Sequence, residues 1–591
     1  MLTWDLLLIK RVLVLLVFHR LLFGQFEIIE SFDPEKSLPE SDLIILNTAS
    51  TIYQGLTEES AALLSQLSFL TDNEAVALGE FVKGDINDFD QFQRIQMVVT
   101  ELWEEKKESN INGVFYHRIN FVDDVQYKWI GELNFEKFTF GFLGERDGEE
   151  INILDNYSTF IETRYGENQF IIGNFQMLSG YGLISWRTFP VKSDFGTINS
   201  ALRRGRGIQP FRSGHESWAY RGFGWTRNFD MGQISGSISS RDIDGSIQEE
   251  SVKLSSLGLH ISDSQVENHN NITEIIGLVN WQTAFKSGEI GITTGSGLWI
   301  DNERRKFLNI ASSLYGNYQI LNLKIFSEIA FTSQLKSAII TGGRLKHDSF
   351  YYGIVFRKIA PNYFAIRDNS FRNWNNKEMG EFGFLQEIQF KLEKTTLKLY
   401  SDYFTRQTNG KGEFENHGHE MGFSIAQNIS SKTWIQTKLK VQETSSESYS
   451  YDDYNYSNVP ISTFKTTFKW KYNKNNSYQF QLQEKHKQNG TPSSWGIQLR
   501  SKHVLDDWSI YGYWVTAKIT EDAWIYYWDV NVPGEMKSKV FTQSSHYLGT
   551  KISYTTSKRS KIHFRFSYTW KKWDFNVIPI VRSALQINFS I

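Results

Sequence analysis

The run ALRRGRGIQPFRSGHESWAYRG gathers Arg203, Arg204, Arg206, Arg212 and Arg221 within one short span. Guanidinium groups are permanently charged planar forks that match phosphate and carboxylate. Gly205 and Gly207 leave the backbone free to turn several of them toward one anion. An anion-binding site is therefore one expectation. The other is pairing with nearby acidic residues such as Glu145, Asp147, Glu149 and Glu150, because a buried unpaired charge is costly.

Three further stretches carry residue types with chemistry. In ENHGHE an extended chain sets Glu415, His417 and His419 on one side, donors that suit zinc or nickel. The preceding TNGKGEFE places them on a loop rim as solvated side chains, so no metal site is expected. SGYGLISW has neither the lysine nor the following helix of a phosphate cradle, and its glycines mark a bend or a close strand contact. RDIDGS matches a calcium loop only at Asp242, Asp244 and Gly245, which is too little. No GxSxG, HExxH or Walker sequence occurs. The sequence thus nominates no catalytic residue and no cofactor, and the chain reads as a non-enzyme. An outer-membrane hydrolase with Ser, His and acid on separate strands remains the enzymatic alternative.

The elements that must position these residues follow from period and charge. The 591 residues are 15% aromatic, with only 9 prolines and no cysteine, a composition that suits an extended sheet using nearly all its backbone donors. After Ile111 the hydrophobic period is two. TFKTTFKWKY sets Phe464, Phe468, Trp470 and Tyr472 against Lys465, Thr467, Lys469 and Lys471. SYQFQLQE and IHFRFSYTW repeat the alternation, and LQINFSI ends the chain on it. The segments number about 24, within a range of roughly 20 to 26, each ~10 residues long. Aromatic residues lie near segment ends on the apolar face, and the other face is rich in Lys, Arg and Gln rather than a second core. In lipid such a run of strands must close, which predicts a large antiparallel transmembrane β-barrel over residues 111–591 with lipid as its first partner.

The first 110 residues differ. Lys10 and Arg11 precede the apolar run VLVLLVF, which is too short to span a bilayer and reads as an export signal over residues 1–24. Residues 25–110 have a helical period and read as a small all-α, helix-hairpin-helix-like periplasmic domain. Asn47 and Thr48 are candidate caps, Ser68 and Thr71 bound the hairpin, and Lys83 and Arg94 are its basic residues. Between Phe26 and Asn110 there are 18 acidic and 5 basic residues, a net of −13. That charge repels a polyanion, so a helical plug or docking of another periplasmic or outer-membrane protein is the favoured role and DNA binding or uptake the alternative.

Taken together, LNTAS with LSFLTDNEAVAL, GFLGERDGEE, IIGNFQMLSGYGLISW and GIQPFRSGHESWAYRGFG resemble a family of Bacteroidetes outer-membrane proteins. These join a periplasmic helix-hairpin-helix segment to a large β-barrel. The resemblance implies location and architecture rather than an activity. The function expected is a channel, transporter or docking component for a polar solute or macromolecule.

If the acidic segment is structural, Leu63→Ala and Leu67→Ala cost ~2–5 kcal/mol each, while loss of the Asn47 or Thr48 cap costs ~1 kcal/mol. Lys83→Ala with Arg94→Ala leaves function nearly unchanged. Thermal melts beside a salt-titrated DNA-retention assay check this; a steep salt slope abolished by the charge variant would reverse it.

Overall fold

The computed structural model describes residue 45, the helical segment Glu58–Leu64 and, between residues 111 and 590, the strands with most of their connections. The helical segment coincides with part of the LTEESAALLSQL period and buries Ala61, Leu63 and Leu64. Residues 1–24 and the positions Asn47, Thr48, Ser68, Thr71, Lys83 and Arg94 lie outside the described residues.

From Ile111 onward the alternation becomes one 26-stranded sheet. Two of its strands are short extensions of a neighbour: Gly207–Pro210 continues the pairing of Asn168–Leu178, and Asp453–Asn458 that of Thr433–Ser450. The remaining 24 strands run antiparallel around a barrel. Closure is made by the first and last strands, Ile111–Phe121 and Ile580–Ser590, in register from Val114↔Ser590 to Phe121↔Ser583. LQINFS, Leu585 to Ser590, thus belongs to the closing strand. Eight residues of each strand pair along this seam, so the sheet has no open edge there, as a lipid-facing sheet requires.

The two ends of the barrel differ. At one end the strands turn within two or three residues, as between Tyr165 and Asn168, Ile320 and Leu323, and Leu505 and Trp508. Leu321 and Asp506 in these turns lie in the left-handed region, at φ 51° and 50°, which the tight reversal demands. At the other end the connections are long, notably residues 179–219, 360–380 and 519–544. Ile111 pairs with Phe135 beside a short turn, so the chain preceding the barrel enters at the short-turn end.

The faces follow the period. Thr467 is 2% exposed and points inward, whereas its neighbour Phe468 is 37% exposed on the outside. Gln479, Gln481 and Gln483 point in while Tyr478 and Phe480 point out, and His563, Arg565 and Ser567 alternate with Phe564 and Phe566. The outer surface carries a continuous apolar band that includes Ile172, Ile238, Val279, Leu308, Leu314 and Leu399. An apolar surface of that extent belongs against hydrocarbon rather than water. Near the short turns it is bordered by aromatic pairs: Trp508 with Tyr554 at 4.4 Å, Trp470 with Tyr478 at 5.5 Å and Phe285 with Tyr318 at 6.0 Å.

The expectation of no second core needs correction. Long connections fold back into the barrel and build a buried cluster there, with Leu183, Ile184, Ile198, Phe364, Ala365 and Ile366 packed against inward wall residues such as Trp299 and Tyr220. Period-two reasoning cannot find this core, because it is supplied by segments that have no period.

Arg at Phe468 will cost ~2–4 kcal/mol at midplane depth. Thr467→Ala, which only trims a lumenal hydroxyl, will cost under about 1.5 kcal/mol. Urea unfolding in lipid vesicles measures both, and equal losses would mean the faces are reversed.

Candidate functional site: the loop-filled lumen

Inward carboxylates of the wall organise the interior. Glu274, fully buried on Ile272–Phe285, receives Arg367 on both oxygens at 2.5 Å and the Trp299 indole N–H at 2.8 Å. Arg367 belongs to the inward connection 360–380. Glu328, on Leu323–Thr332, accepts the backbone N–H groups of Tyr181 at 2.6 Å and Leu183 at 3.3 Å. These amides sit in the SGYGLISW turn. Gly180 there has φ +52°, and a Cβ on it would meet Glu328 Oε1 at 2.6 Å, so the turn needs glycine to reach the carboxylate.

The same device recurs around the wall. Glu387 accepts the Ile198 N–H at 3.1 Å and the Tyr351 hydroxyl at 2.9 Å, and pairs with Lys398 at 3.0 Å. Glu381 accepts the Asn373 N–H at 2.9 Å, while the Asn373 side chain donates to Asp402 at 2.8 Å. Arg357, itself inaccessible, ties Glu381 to Asp402. Charges buried in this way are tolerable only with close partners, and Glu274, Glu381, Glu387 and Asp402 each have a cation beside them while Glu328 holds two backbone N–H groups on one oxygen.

The two inward segments also hold each other. Residues 184–186 and 367 form a parallel bridge, with Trp186 N–H donating to the Arg367 carbonyl and Arg367 N–H to the Ile184 carbonyl, each at 3.0 Å. Tyr363 donates to the Leu183 carbonyl at 2.9 Å, and Phe364 sits edge-on to Trp299 at 5.2 Å. A third segment enters from residues 519–544 as the hairpin Ile525–Trp528 with Ser538–Phe541. Its Asp529 pairs with Arg565 and accepts the Tyr547 hydroxyl at 2.8 Å, while Arg118 donates to the Pro533 carbonyl at 2.8 Å.

The arginine-rich run is divided by this geometry. Arg212 is buried and its Nε donates to Glu132 at 2.7 Å, so it serves as one more loop-to-wall tie. The partner differs from the carboxylates expected, since Glu145 is taken by Lys128 and by Asn156 at 2.8 Å. Arg221 lies on the opposite, outer face, with its guanidinium over the Tyr157 ring and donating to the Tyr157 carbonyl at 3.2 Å. Arg212 and Arg221 therefore do not converge. Arg206 donates its backbone N–H to the Leu178 carbonyl, and Arg203 and Arg204 lie outside the described residues.

His417 and His419 are corrected from a loop rim to a strand, His417–Ser430, on its outer face. Each meets a hydroxyl of the neighbouring strand at 3.1 Å, Tyr403 for His417 and Ser401 for His419. Glu415 lies outside the described residues, and no group of three metal-ligating side chains occurs among the described ones. The residues that sequence reasoning missed are Glu274, Glu328, Glu381, Glu387, Arg357 and Arg367. Their one sequence signal is a carboxylate in the inward register of an otherwise apolar or neutral strand, as in ITEIIGLVNW.

No family model matches the chain, and no curated protein matches it. Among solved structures it is similar to the siderophore receptor PirA from Pseudomonas aeruginosa, at 7% identity and a TM-score of 0.44, covering 82% of this chain and 81% of that one. It is also similar to the copper transporter OprC, at 7% identity and 0.43, covering 83% and 84%. The FrpB iron transporter from Neisseria meningitidis is a third, at 6% and 0.40, covering 82% of each.

Glu274→Ala strands Arg367 without its counter-charge and will cost ~3–5 kcal/mol, with new protease cleavage in residues 360–380. Glu303→Ala, which removes an exposed partner of Arg305, will cost ~0–1 kcal/mol. Denaturant melts with limited proteolysis compare them. Equal small losses would mean the wall carboxylates do not hold the loops.

Proposed function

We propose that this chain is an outer-membrane β-barrel through which a polar solute or macromolecule passes, or on which it docks, with residues 25–110 as a periplasmic helical domain. One observation carries the reading: a closed 24-stranded barrel with an apolar exterior whose lumen is obstructed by its own polar-anchored connections. Barrels of this width either leave an aqueous channel or hold a plug. Here the obstruction is tied to the wall by hydrogen bonds and ion pairs beside its apolar packing, and those polar ties are attachments that water and solute can replace locally. Short turns with the chain's entry at one end and long connections at the other match a periplasmic and an extracellular side. Entry at the short-turn end supports a periplasmic position for residues 25–110 in this reading, and the helix Glu58–Leu64 supports their helical character.

The mature chain should fractionate with the outer membrane and migrate faster before boiling than after, because a closed barrel resists detergent. Recovery in the soluble periplasm would overturn the barrel's location. In planar bilayers the full chain should show small conductance and the Glu274→Ala variant a larger one. A deletion of residues 26–110, measured alongside, reads the share of the obstruction due to that segment. Conductance equal in all three proteins would remove the gating role of the loops.

A further inference from the structure

The interior wall is electrically divided. The carboxylates that anchor the connections lie on strands between Val125 and Thr405. His417–Ser430 comes next, and its inward Glu420 pairs with Lys440 at 2.8 Å; the four strands after it, Thr433–Ser450, Ile461–Lys471, Asn476–Lys487 and Ser494–Leu505, differ. Among their described inward positions none is Asp or Glu, and most are Lys, Arg or Gln.

Register arranges these side chains in rungs. Lys440, Thr463 and Lys485 share one rung, and Lys438 stands directly opposite Lys465 on the next. The rung below is amide and hydroxyl: Gln436, Thr467, Gln481 and Gln498. Lys469, Gln479 and Arg500 follow, then Lys471, Ser477 and Lys502. Rungs are two residues apart, or ~7 Å along the strand, so from the Lys487 rung to the Lys471 rung is about 34 Å. A tilted strand needs a length of that order to cross an apolar band ~25 Å tall. The ladder therefore runs the height of the barrel, and the 519–544 connection touches it where Lys485 donates to the Trp524 carbonyl at 3.2 Å and Arg500 to the Trp528 carbonyl.

Like charges directly across a strand pair are destabilising, and Lys438 opposite Lys465 is such a pair. Even with Glu420 counted, cations outnumber carboxylates at the described inward positions of these strands, so a negatively charged occupant fits the arrangement. The amide rungs add detail. Gln481 and Gln479, 3% and 7% exposed, each have a buried Nε2 donor with no partner, and Gln483 has such an acceptor in Oε1. Buried amides left unpaired cost free energy, and an occupant with hydroxyl groups can both accept from and donate to them. Trp434, which carries Lys469 at 4.9 Å over its ring, adds an apolar face beside these groups.

Building on the reading of the lumen as a passage or docking chamber, we infer that this wall is a binding track for an acidic saccharide: lysines for its carboxylate or sulfate groups, glutamines for its hydroxyls. The probe is fluorescein-labelled oligogalacturonate, titrated onto the full-length protein in detergent and read by anisotropy. It should bind in a salt-dependent manner, roughly tenfold or more tighter than labelled neutral maltooligosaccharide. Lys438→Gln with Lys465→Gln should weaken acidic binding by about tenfold or more, and Gln479→Leu with Gln481→Leu should weaken it without lowering the salt slope. Heat-modifiable mobility confirms that each variant is folded. Equal binding of acidic and neutral saccharides, no effect of the lysine change, or tighter binding of a single-stranded oligonucleotide overturns the inference. Reversal potentials in a salt gradient separate it from the function on which it rests. Binding without conductance leaves the track and removes passage, whereas conductance without anion preference leaves passage and removes the track.

Discussion

Every backbone donor and acceptor in a lipid-facing sheet must find its partner in the protein, and that constraint fixes the rest of this molecule. A strand cannot end in an open edge, so the last strand must meet the first. It does so between Ile580–Ser590 and Ile111–Phe121, in a register that keeps Ile587 and Phe589 outside and Gln586 and Asn588 inside. A slip of one residue would exchange those faces along the seam. Closure therefore also selects which side chains meet lipid and which meet the interior.

With 24 strands the enclosed space is too wide for wall side chains to fill. The long connections at one end occupy part of it, and they bring backbone amides and arginines that must be satisfied at depth. The wall supplies carboxylates at the matching positions: Glu274 for Arg367, Glu328 for the amides after Gly180, Glu132 for Arg212. Such pairs contribute little net stability compared with apolar packing of equal volume. What they supply is direction, since each loop fits one place on the wall. The apolar residues of those loops, Leu183, Ile184, Phe364 and Ile366, then pack together because the polar ties have brought them into reach.

The consequence is a lumen with two characters. Carboxylates lie where the 179–219 and 360–380 connections need them, and cations stand in rungs on the strands from Thr433–Ser450 to Ser494–Leu505. An interior of uniform charge would either reject its own loops or leave no signed surface for a solute. Arg565 and Asp529 show the boundary between the regimes, where a wall cation takes a loop carboxylate and the polarity of the tie is reversed.

Much of this was legible in the chain. The period of two in TFKTTFKWKY, SYQFQLQE and IHFRFSYTW assigned Phe468, Phe480 and Phe564 to the outside and Thr467, Gln481 and His563 to the inside, because a strand has only two faces and lipid accepts only one kind of residue. The number of strands followed from the same count. What the sequence could not determine was contact between segments far apart. Arg212 was visible as a charge in search of a partner, yet Glu132 rather than Glu145 receives it, because sheet register and the path of a loop decide which carboxylate is within reach. His417 and Arg221 were visible as chemistry, yet both lie on the outer face, where neither joins a lumenal site. Sequence period settled the faces because it is a local property of the backbone. The partners across the lumen were left to the tertiary structure because they depend on closure of the whole sheet.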